Sequence, residues 1–512
     1  MPVVKQIYTS DEREALSTKQ LPKLLVIANL FEALHENDII YCNLKGNEQR
    51  LKIFLTGESD IDVLFDEKQK VKLESVLNKL GFKKFEAIKQ KQYKDIVDFI
   101  ALDSGSGKVI HLHTYYRLTI GEPYLKGYQL DIETHILNSR VFNEEFGMYC
   151  IQPTFELILL YLTESLKLRH RDFILMHLKN KINFSEKAIY EHNWLRKKTN
   201  DAEIEAVLKS LFKDYIPIYN LVKAEFNRKQ LHKLSPVIKK EFARYRLYSP
   251  LVALLLRWYR EITVSIFRKL SRVLARPILS MRINPRGGIM VAITGSDSAV
   301  NSRVTSQLKE TFGKKLDVYK INFGRHADRN SLKLQSLNFF SGKSNCKAQQ
   351  EQTPAERERS LPSVYNGIRA LMIAQEKSKY LKLGQTAKKK GALVICDCFP
   401  QNQIMQHNDG PVLHDLLRSK NPFLRSLARM ESNIYAESKN YSPDILFRLM
   451  ANNDGAGKAN PGETSRENTD CEITTGIKQP GFNNKCKTIT VDAGKPLTEV
   501  LYIIKKEIWN LL

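Results

Sequence analysis

The stretch Ile289-Met290-Val291-Ala292-Ile293-Thr294-Gly295-Ser296-Asp297-Ser298-Ala299-Val300-Asn301-Ser302 decides how the C-terminal half of this 512-residue chain is read. Ile289–Ile293 is apolar without alternation, which predicts a strand buried on both faces. Gly295 interrupts it, a polar turn follows, and Ser302–Thr311 reads as a helix. The pattern continues downstream. Tyr365–Lys390 reads as helix, Ala392–Asp397 as a second buried strand, Thr488–Val491 as a short strand and Leu497–Leu511 as a closing helix. Strands alternating with helices predict an α/β fold with a doubly wound parallel sheet over residues 288–512. The stretches 324–360 and 452–487 are polar and read as loose segments.

The turn after Ile293 has the outline of a phosphate-binding loop: Gly, four residues, then Gly-Lys-Ser/Thr. There, backbone N–H groups cradle phosphates, the lysine neutralises them and the hydroxyl holds Mg2+. Gly295 and Ser302 stand at that spacing, while Val300 replaces the second glycine and Asn301 the lysine. Four further pieces follow in order: Gly391-Ala392-Leu393-Val394-Ile395-Cys396-Asp397-Cys398-Phe399-Pro400, Asp409-Gly410-Pro411, Ser442-Pro443-Asp444-Ile445-Leu446 and the closing segment Val491–Leu512. Together they resemble the thymidylate-kinase-like family of P-loop nucleoside monophosphate kinases. The resemblance implies ATP or another nucleoside triphosphate with Mg2+ as cofactors. It implies phosphate contacts at Gly295, Ser296, Asp297 and Ser302, a metal contact at Ser302 and a catalytic role for Asp397. The departures share one direction. Cys398 stands where the family has arginine, and Ala459 and Asn460 where its lid is basic, with Lys458 nearby. Loss of one charge-stabilising group costs on the order of a hundredfold in rate. Three losses predict a kinase-like transferase whose kinase activity is gone, unless Lys314, Lys315, Lys343 or Lys377 supplies charge from elsewhere.

The N-terminal half carries a second pattern. Leu21–His35 reads as helix, Ile39–Leu44 and Ile61–Phe65 as strands, and Lys68–Leu80 as a helix ended by Gly81. Ile96–Leu102 and Val109–Tyr116 read as strands around the turn Asp103–Lys108, and residues 151–235 as largely helical. In Gly57-Glu58-Ser59-Asp60-Ile61-Asp62-Val63-Leu64, the carboxylates of Asp60 and Asp62 share one strand face because side chains repeat every two residues. Two such carboxylates repel, and a divalent cation relieves the repulsion. With Leu44-Lys45-Gly46 upstream and Gly81-Phe82 downstream, residues 20–140 resemble the nucleotidyltransferase superfamily. The resemblance implies Asp60 and Asp62 as catalytic metal ligands and Lys45, Gly46, Gly57 and Ser59 around the nucleotide. The family's third carboxylate is open here: its position holds His111, and Asp98 on the preceding strand is the alternative. His111 and His113 share a strand face, which suits phosphate or metal binding and equally suits ordinary sheet histidines. The run His113–Glu122 is similar to the stretch at this place in proteins that fuse such a domain to a kinase-like one.

The expected organisation is therefore a nucleotidyltransferase-like domain over 1–150, a helical region over 151–249, a basic connecting helix and hinge over 250–287, and the P-loop domain over 288–512. In 250–283, Leu255, Trp258, Ile262, Ile266, Leu270 and Val273 fall three or four apart, with Arg257, Arg260, Arg268, Lys269, Arg272 and Arg276 around them. Such a helix suits an anionic membrane surface, or packs as a connector on one of the domains. Asn284-Pro285-Arg286-Gly287-Gly288 reads as a hinge. The net charge of +24 favours anionic partners, but lysines spread over the whole chain and no recognition helix, zinc finger or ribonucleoprotein pattern argues for specific nucleic-acid binding. Seven cysteines without paired spacing predict free thiols in a reducing compartment. No apolar run is long enough to cross a membrane and Met1–Glu14 lacks an apolar leader core, so a cytoplasmic protein, peripheral to the membrane in the docking case, is expected.

Two functions compete. In one, the chain is a nucleotide-binding protein of the ATP-dependent phosphotransferase type, with a degenerate kinase site and metal-dependent nucleotidyl transfer at Asp60 and Asp62. Its ligand is a nucleotide or a nucleotide-linked small molecule. The thymidylate-kinase-like proteins it resembles accompany bacterial surface-polysaccharide genes, which implies a phosphorylated-sugar or nucleotide acceptor. In the other, both domains are non-catalytic nucleotide sensors or scaffolds in a membrane-associated assembly.

Overall fold

The computed structural model describes residues 24–169, 171–172, 184–273, 278–295, 298–323, 364–400, 410–450 and 486–512. The chain forms two compact units, Met1–Ile266 and Phe267–Leu512.

The N-terminal unit is a mixed sheet between helices. Its strands are β1 (Tyr41–Asn43), β2 (Ile61–Phe65), β3 (Lys83–Ala87), β4 (Ile96–Leu102), β5 (Val109–Tyr115), β6 (Leu118–Ile120), β7 (Tyr128–Leu130), β8 (Val141–Asn143) and β9 (Met148–Cys150). The sheet runs β3-β4-β5-β2-β1-β9-β8, and β6 pairs with β7 separately. The strand alternation sets its two faces. Ile61, Val63 and Phe65 of β2 and Ile110 and Leu112 of β5 join Phe31, Leu34, Phe54, Leu73 and Leu77 in one apolar core. Leu64 turns to the other face and joins Phe155, Ile158, Tyr161 and Leu162 of the helix Pro153–Lys167. Asp60 and Asp62 share the parity of Leu64, and His111, His113 and Tyr115 have the same parity on β5. Polar side chains from two neighbouring strands are thus presented to the face covered by the later helices.

Most predicted elements appear within one to four residues of their expected ends, and β2 and β4 coincide with them. The Lys68–Leu80 helix is a short 3-10 turn, Glu67–Gln69, followed by the α-helix Lys70–Lys79.

In the C-terminal unit the strands Val318–Asn322, Leu393–Asp397, Ile289–Gly295, Ile445–Met450 and Lys487–Asp492 lie in that order, all parallel. Val318–Asn322 was not expected from the sequence, because its Tyr319 and Lys320 break the apolar run. Met290, Ile321 and Val394 face the helix Val364–Lys389. Lys320 and Asp397 face the helix Ser298–Gly313. Helices on both faces make the sheet doubly wound, as expected. The helix Ser298–Gly313 starts four residues before the predicted Ser302, so Asn301 and Ser302 are helical residues.

The segment expected to be a hinge packs within the C-terminal unit. Asn284 is buried, its N–H donates to the Gly391 carbonyl at 2.9 Å and its side-chain amide donates to the Leu512 carbonyl. The Gly288 N–H donates to the Lys388 carbonyl at 2.8 Å, and a Cβ at Gly288 would lie 1.9 Å from the Ala392 carbonyl oxygen. Glycine is there for close backbone approach, a use that sequence cannot tell from flexibility.

Candidate functional site

Asp60 and Asp62 follow a turn that only glycine fits easily. Gly57 has φ +74°, and a Cβ there would lie 2.6 Å from Ile110 Cδ1. The turn delivers the chain into β2, which pairs in parallel with β5 so that Asp62 stands opposite His113. β4 pairs antiparallel with the other edge of β5, placing Asp98 opposite His113 from that side. Both alternatives for the third acidic position therefore enter one cluster.

In that cluster His111 Nδ1 lies 3.1 Å and His113 Nε2 3.5 Å from Asp60 Oδ2. On the far side of the rings, His111 Nε2 hydrogen-bonds to Asp98 Oδ1 at 2.8 Å, and His113 Nδ1 lies 2.9 Å from the same oxygen. Burial disfavours the charged form of His113, but the Asp60 and Asp98 carboxylates outweigh it and raise the ring's pKa to about 9.

Asp62 faces a cavity of about 450 Å3 lined on several sides by cations: Lys45, Arg50, Lys126, Lys167 and Lys187. Lys126 comes from a strained turn in which Tyr124 and Lys126 itself have φ of +67° and +45°. Its ammonium lies 3.4 Å from the Tyr115 hydroxyl and 4.6 Å from the centre of the Tyr93 ring. Burial lowers the Lys126 pKa, and Asp62 opposes that shift. Burial, and after it the Asp62 carboxylate, hold the Tyr115 hydroxyl's pKa well above the ordinary range.

The opposite wall comes from the helices Pro153–Lys167 and Glu186–Lys197. Lys45 forms ion pairs with Glu156 and Glu191, and Glu156 also accepts the Gly46 N–H at 2.9 Å. Burial pushes the Glu156 carboxyl above the usual range, with Lys45 opposing. Burial acts the same way on Glu191, but Lys45 and Arg50 together pull its pKa below the ordinary value. The difference follows from the number of cations each carboxylate meets. Lys45 and Gly46, expected to touch the ligand directly, are thus tied to the helical wall, while Lys45 still lines the cavity. Gly57 shapes the turn, and Ser59 follows it on the same segment.

The turn after Ile293 is arranged differently. Ser296 and Asp297 lie outside the described residues, as do Lys343, Lys458, Ala459 and Asn460. Asn301, in the place of the phosphate-binding lysine, is buried and donates its amide back to the Gly295 carbonyl at 3.1 Å. Asp397 is buried and accepts from Thr305 Oγ1 at 3.4 Å. Lys320 brings a cation to this face that sequence reading missed, but it bonds Ser306 Oγ at 2.9 Å and the Ser302 carbonyl at 3.4 Å. Among the lysines considered as substitutes, Lys314 reaches Glu310 at 4.0 Å and Lys377 the Tyr435 hydroxyl at 3.3 Å. Cys398, where arginine was expected, has φ +62° and a buried side chain.

The described part of the helix Pro250–Val273 shows which side of it meets the fold. Arg257 pairs with Glu122 at 2.5 Å, and Arg260 donates to the Gln92 and Tyr124 carbonyls at 3.2 and 3.1 Å. Leu251, Leu255, Trp258, Tyr259 and Ile262 are each more than half exposed. Of the two expectations, a helix packed on a domain and a helix with its apolar stripe open to a surface, each describes one side: the arginines anchor the helix, and the stripe faces outward. The side chains of Arg268, Leu270, Arg272, Val273 and Arg276 lie outside the described set. Among the described residues no helix is long and apolar enough to cross a membrane.

No protein-family profile matches the chain. Over 222 residues, 43% of its length, it is 22% identical to a protein described as an uncharacterized ATP-binding protein, YghR, of Escherichia coli K12, covering 86% of that relative. The protein of the same description from Escherichia coli O6:H1 matches equally. Among solved structures, a thymidylate kinase from Candida albicans aligns at 14% identity over 44% of this chain and 91% of its own, with a TM-score of 0.23. Chloroplast FtsY from Physcomitrella patens aligns at 11% identity over 69% of this chain and 88% of its own, with a TM-score of 0.18. Superpositions at these scores assign nothing, and the chain's own geometry carries the argument.

Proposed function

We propose that the chain is a nucleotide-binding protein whose surviving chemistry belongs to the N-terminal unit. The observation that carries this reading is the cavity in which Asp62 meets Lys45, Arg50, Lys126, Lys167 and Lys187. Glu156, Glu164 and Glu191 share the lining and pair with Lys45, Arg50 and Lys167, while Lys126 and Lys187 form none of the described ion pairs and are the cations left for a polyanion. A triphosphate or nucleotide-linked small molecule fills about that volume. The ATP-binding description of the distant relative points to the same ligand class. The reaction in keeping with this arrangement is nucleotidyl transfer. An acceptor hydroxyl oxygen attacks the α-phosphorus, pyrophosphate leaves, and the hydroxyl proton passes to the Asp62 carboxylate. Lys126 and Lys187 neutralise the departing phosphates. A divalent cation at Asp60, Mg2+ in the family it resembles, would supply further charge neutralisation. Among the described residues of the C-terminal unit, Asn301 stands in the place of the phosphate-binding lysine and Lys320 bonds Ser302 and Ser306, so kinase turnover is not expected of it.

Thermal melting of the full chain with ATP, GTP, CTP, UTP and dTTP, with and without divalent cation, tests the reading. A shift lost in Asp62→Asn and retained in Ser302→Ala/Asp397→Ala supports it. The reverse result would return the nucleotide to the C-terminal unit and sink the proposal.

The exposed apolar stripe Leu251, Leu255, Trp258, Tyr259 and Ile262 favours a second reading, in which the protein is a scaffold docked on a membrane surface. Flotation with anionic vesicles at low salt distinguishes the two. A protein that stays unbound removes the membrane arm.

A further inference from the structure

The histidine pair on β5 does more than fill the sheet. His111 is fully buried, and its Nδ1 faces the Asp60 carboxylate at 3.1 Å without forming a hydrogen bond. A buried imidazole nitrogen without a hydrogen bond is costly unless something else satisfies it. The opposite nitrogens of the two rings explain the orientation. His111 Nε2 hydrogen-bonds to Asp98 Oδ1, and His113 Nδ1 approaches the same oxygen at 2.9 Å. A metal ion that displaces the proton Asp60 and Asp98 hold on His113 would meet lone pairs on His111 Nδ1 and His113 Nε2, with the opposite ring nitrogens lying 2.8 and 2.9 Å from Asp98 Oδ1. A carboxylate that fixes the tautomer of a ligating histidine from behind is the usual outer partner of imidazole metal sites.

We propose that Asp60, His111 and His113 form a site for one borderline divalent transition-metal ion of the Zn2+ and Co2+ class, with Asp98 as the positioning residue. One ligand atom from each of the three lies within 4.8 Å of the others. The Asp60 oxygen stands 3.1 and 3.5 Å from the two nitrogens. Bonds of about 2.0–2.1 Å in a tetrahedral shell put ligand atoms roughly 3.3 Å apart, so only small adjustments are needed. Two imidazoles and one carboxylate suit Zn2+, Co2+ or Fe2+. Mg2+ prefers an octahedral shell of oxygens and gives up water reluctantly. Among the described residues three protein ligands converge, and His113 and Asp60 reach solvent. This is the pattern of an open site with exchangeable positions rather than a closed structural one.

The proposal names the metal class for the N-terminal site but rests on this geometry alone, and its test needs no nucleotide. The untagged full chain is stripped with chelator and titrated with Co2+, following the visible absorption of low-coordinate Co2+. We expect one equivalent bound, full displacement by one equivalent of Zn2+, and no displacement by a hundredfold excess of Mg2+. Asp60→Ala and His113→Ala each weaken Co2+ binding by a hundredfold or more. Asp98→Asn weakens it 10–100-fold and shifts the Co2+ spectrum, which a merely structural change elsewhere would not do. Truncating the buried His111 endangers the fold, so the test rests on the two partly exposed ligands, with circular dichroism confirming that each variant is folded. Displacement of Co2+ by equimolar Mg2+ overturns the proposal. So does unchanged Co2+ affinity in the folded Asp60→Ala and His113→Ala variants. Loss of nucleotide binding with intact Co2+ binding would damage only the functional reading above.

Discussion

Around Asp62, side chains from β2, β5, the Gly121–Gly127 turn and two later helices converge on open space. Around Gly295, the side chains close on one another: Asn301 onto the Gly295 carbonyl, Thr305 onto Asp397, Lys320 onto Ser302 and Ser306. Both regions announce themselves in the sequence by a glycine turn next to a strand. The difference is where the cations go. In the N-terminal unit Lys45, Arg50 and Lys167 pair with neighbouring carboxylates, but Lys126 and Lys187 line the cavity outside the described ion pairs. In the C-terminal unit the one cation beside Asp397 in the described structure is spent on the neighbouring helix. A phosphate-binding frame depends on charge directed at the ligand, and a backbone turn can outlive that charge as architecture.

The largest effect is expected from forcing the second region to resemble its functional counterpart. Asn301→Lys places an ammonium where a side chain 1% exposed now bonds the Gly295 carbonyl. An unpaired buried charge costs about 3 kcal/mol or more. Urea unfolding should show that loss in the C-terminal unit, with no gain in ATP hydrolysis. A stable variant that hydrolyses ATP would break the contrast.

The next effect sharpens the first region. At a ligand concentration a hundred times its dissociation constant, a nucleotide stabilises the state that binds it by about 2.7 kcal/mol. Lys126→Ala should weaken that binding at least tenfold, removing about 1.4 kcal/mol of the gain. Equilibrium dialysis with labelled nucleotide reads this directly, and unchanged affinity would place the ligand elsewhere.

A smaller effect concerns pH. The folded state holds the Glu156 proton more tightly than the unfolded chain does, because burial raises that pKa above its ordinary 4.5. Between pH 4.5 and about 7 the folded state therefore binds more protons than the unfolded chain, and stability contributed by the protonated form is lost as pH rises through that window. Glu156→Gln keeps an oxygen for the Gly46 N–H and removes this dependence. Its stability should rise relative to the parent by about 2–3 kcal/mol between pH 4.5 and 7. A flat difference across that range would show that Lys45 keeps Glu156 charged throughout.

The smallest effect is expected at Ser302. Ser302→Ala should change stability by less than about 0.5 kcal/mol and leave the nucleotide-induced shift intact. A lost shift would mean that the C-terminal turn still holds phosphate.

The sequence by itself determined what depends on neighbours along the chain. Alternation placed Asp60 with Asp62 and His111 with His113 on common faces, because the pleat fixes side-chain direction every two residues. Apolar runs located the buried strands of the parallel sheet, and the replaced lysine at Asn301 was visible as a letter. Tertiary structure decided the rest. Glu191 meets Lys45 across 146 residues of chain, and Glu156 meets Gly46 across 110. No local periodicity encodes such pairs. Asp98 and His111 were alternatives in sequence and became partners only when β4 paired with β5. The segment through Gly287 and Gly288 read as a hinge because glycine signals both freedom and close approach. The Ala392 carbonyl beside Gly288 decides between them, and that contact exists only once the strands are packed.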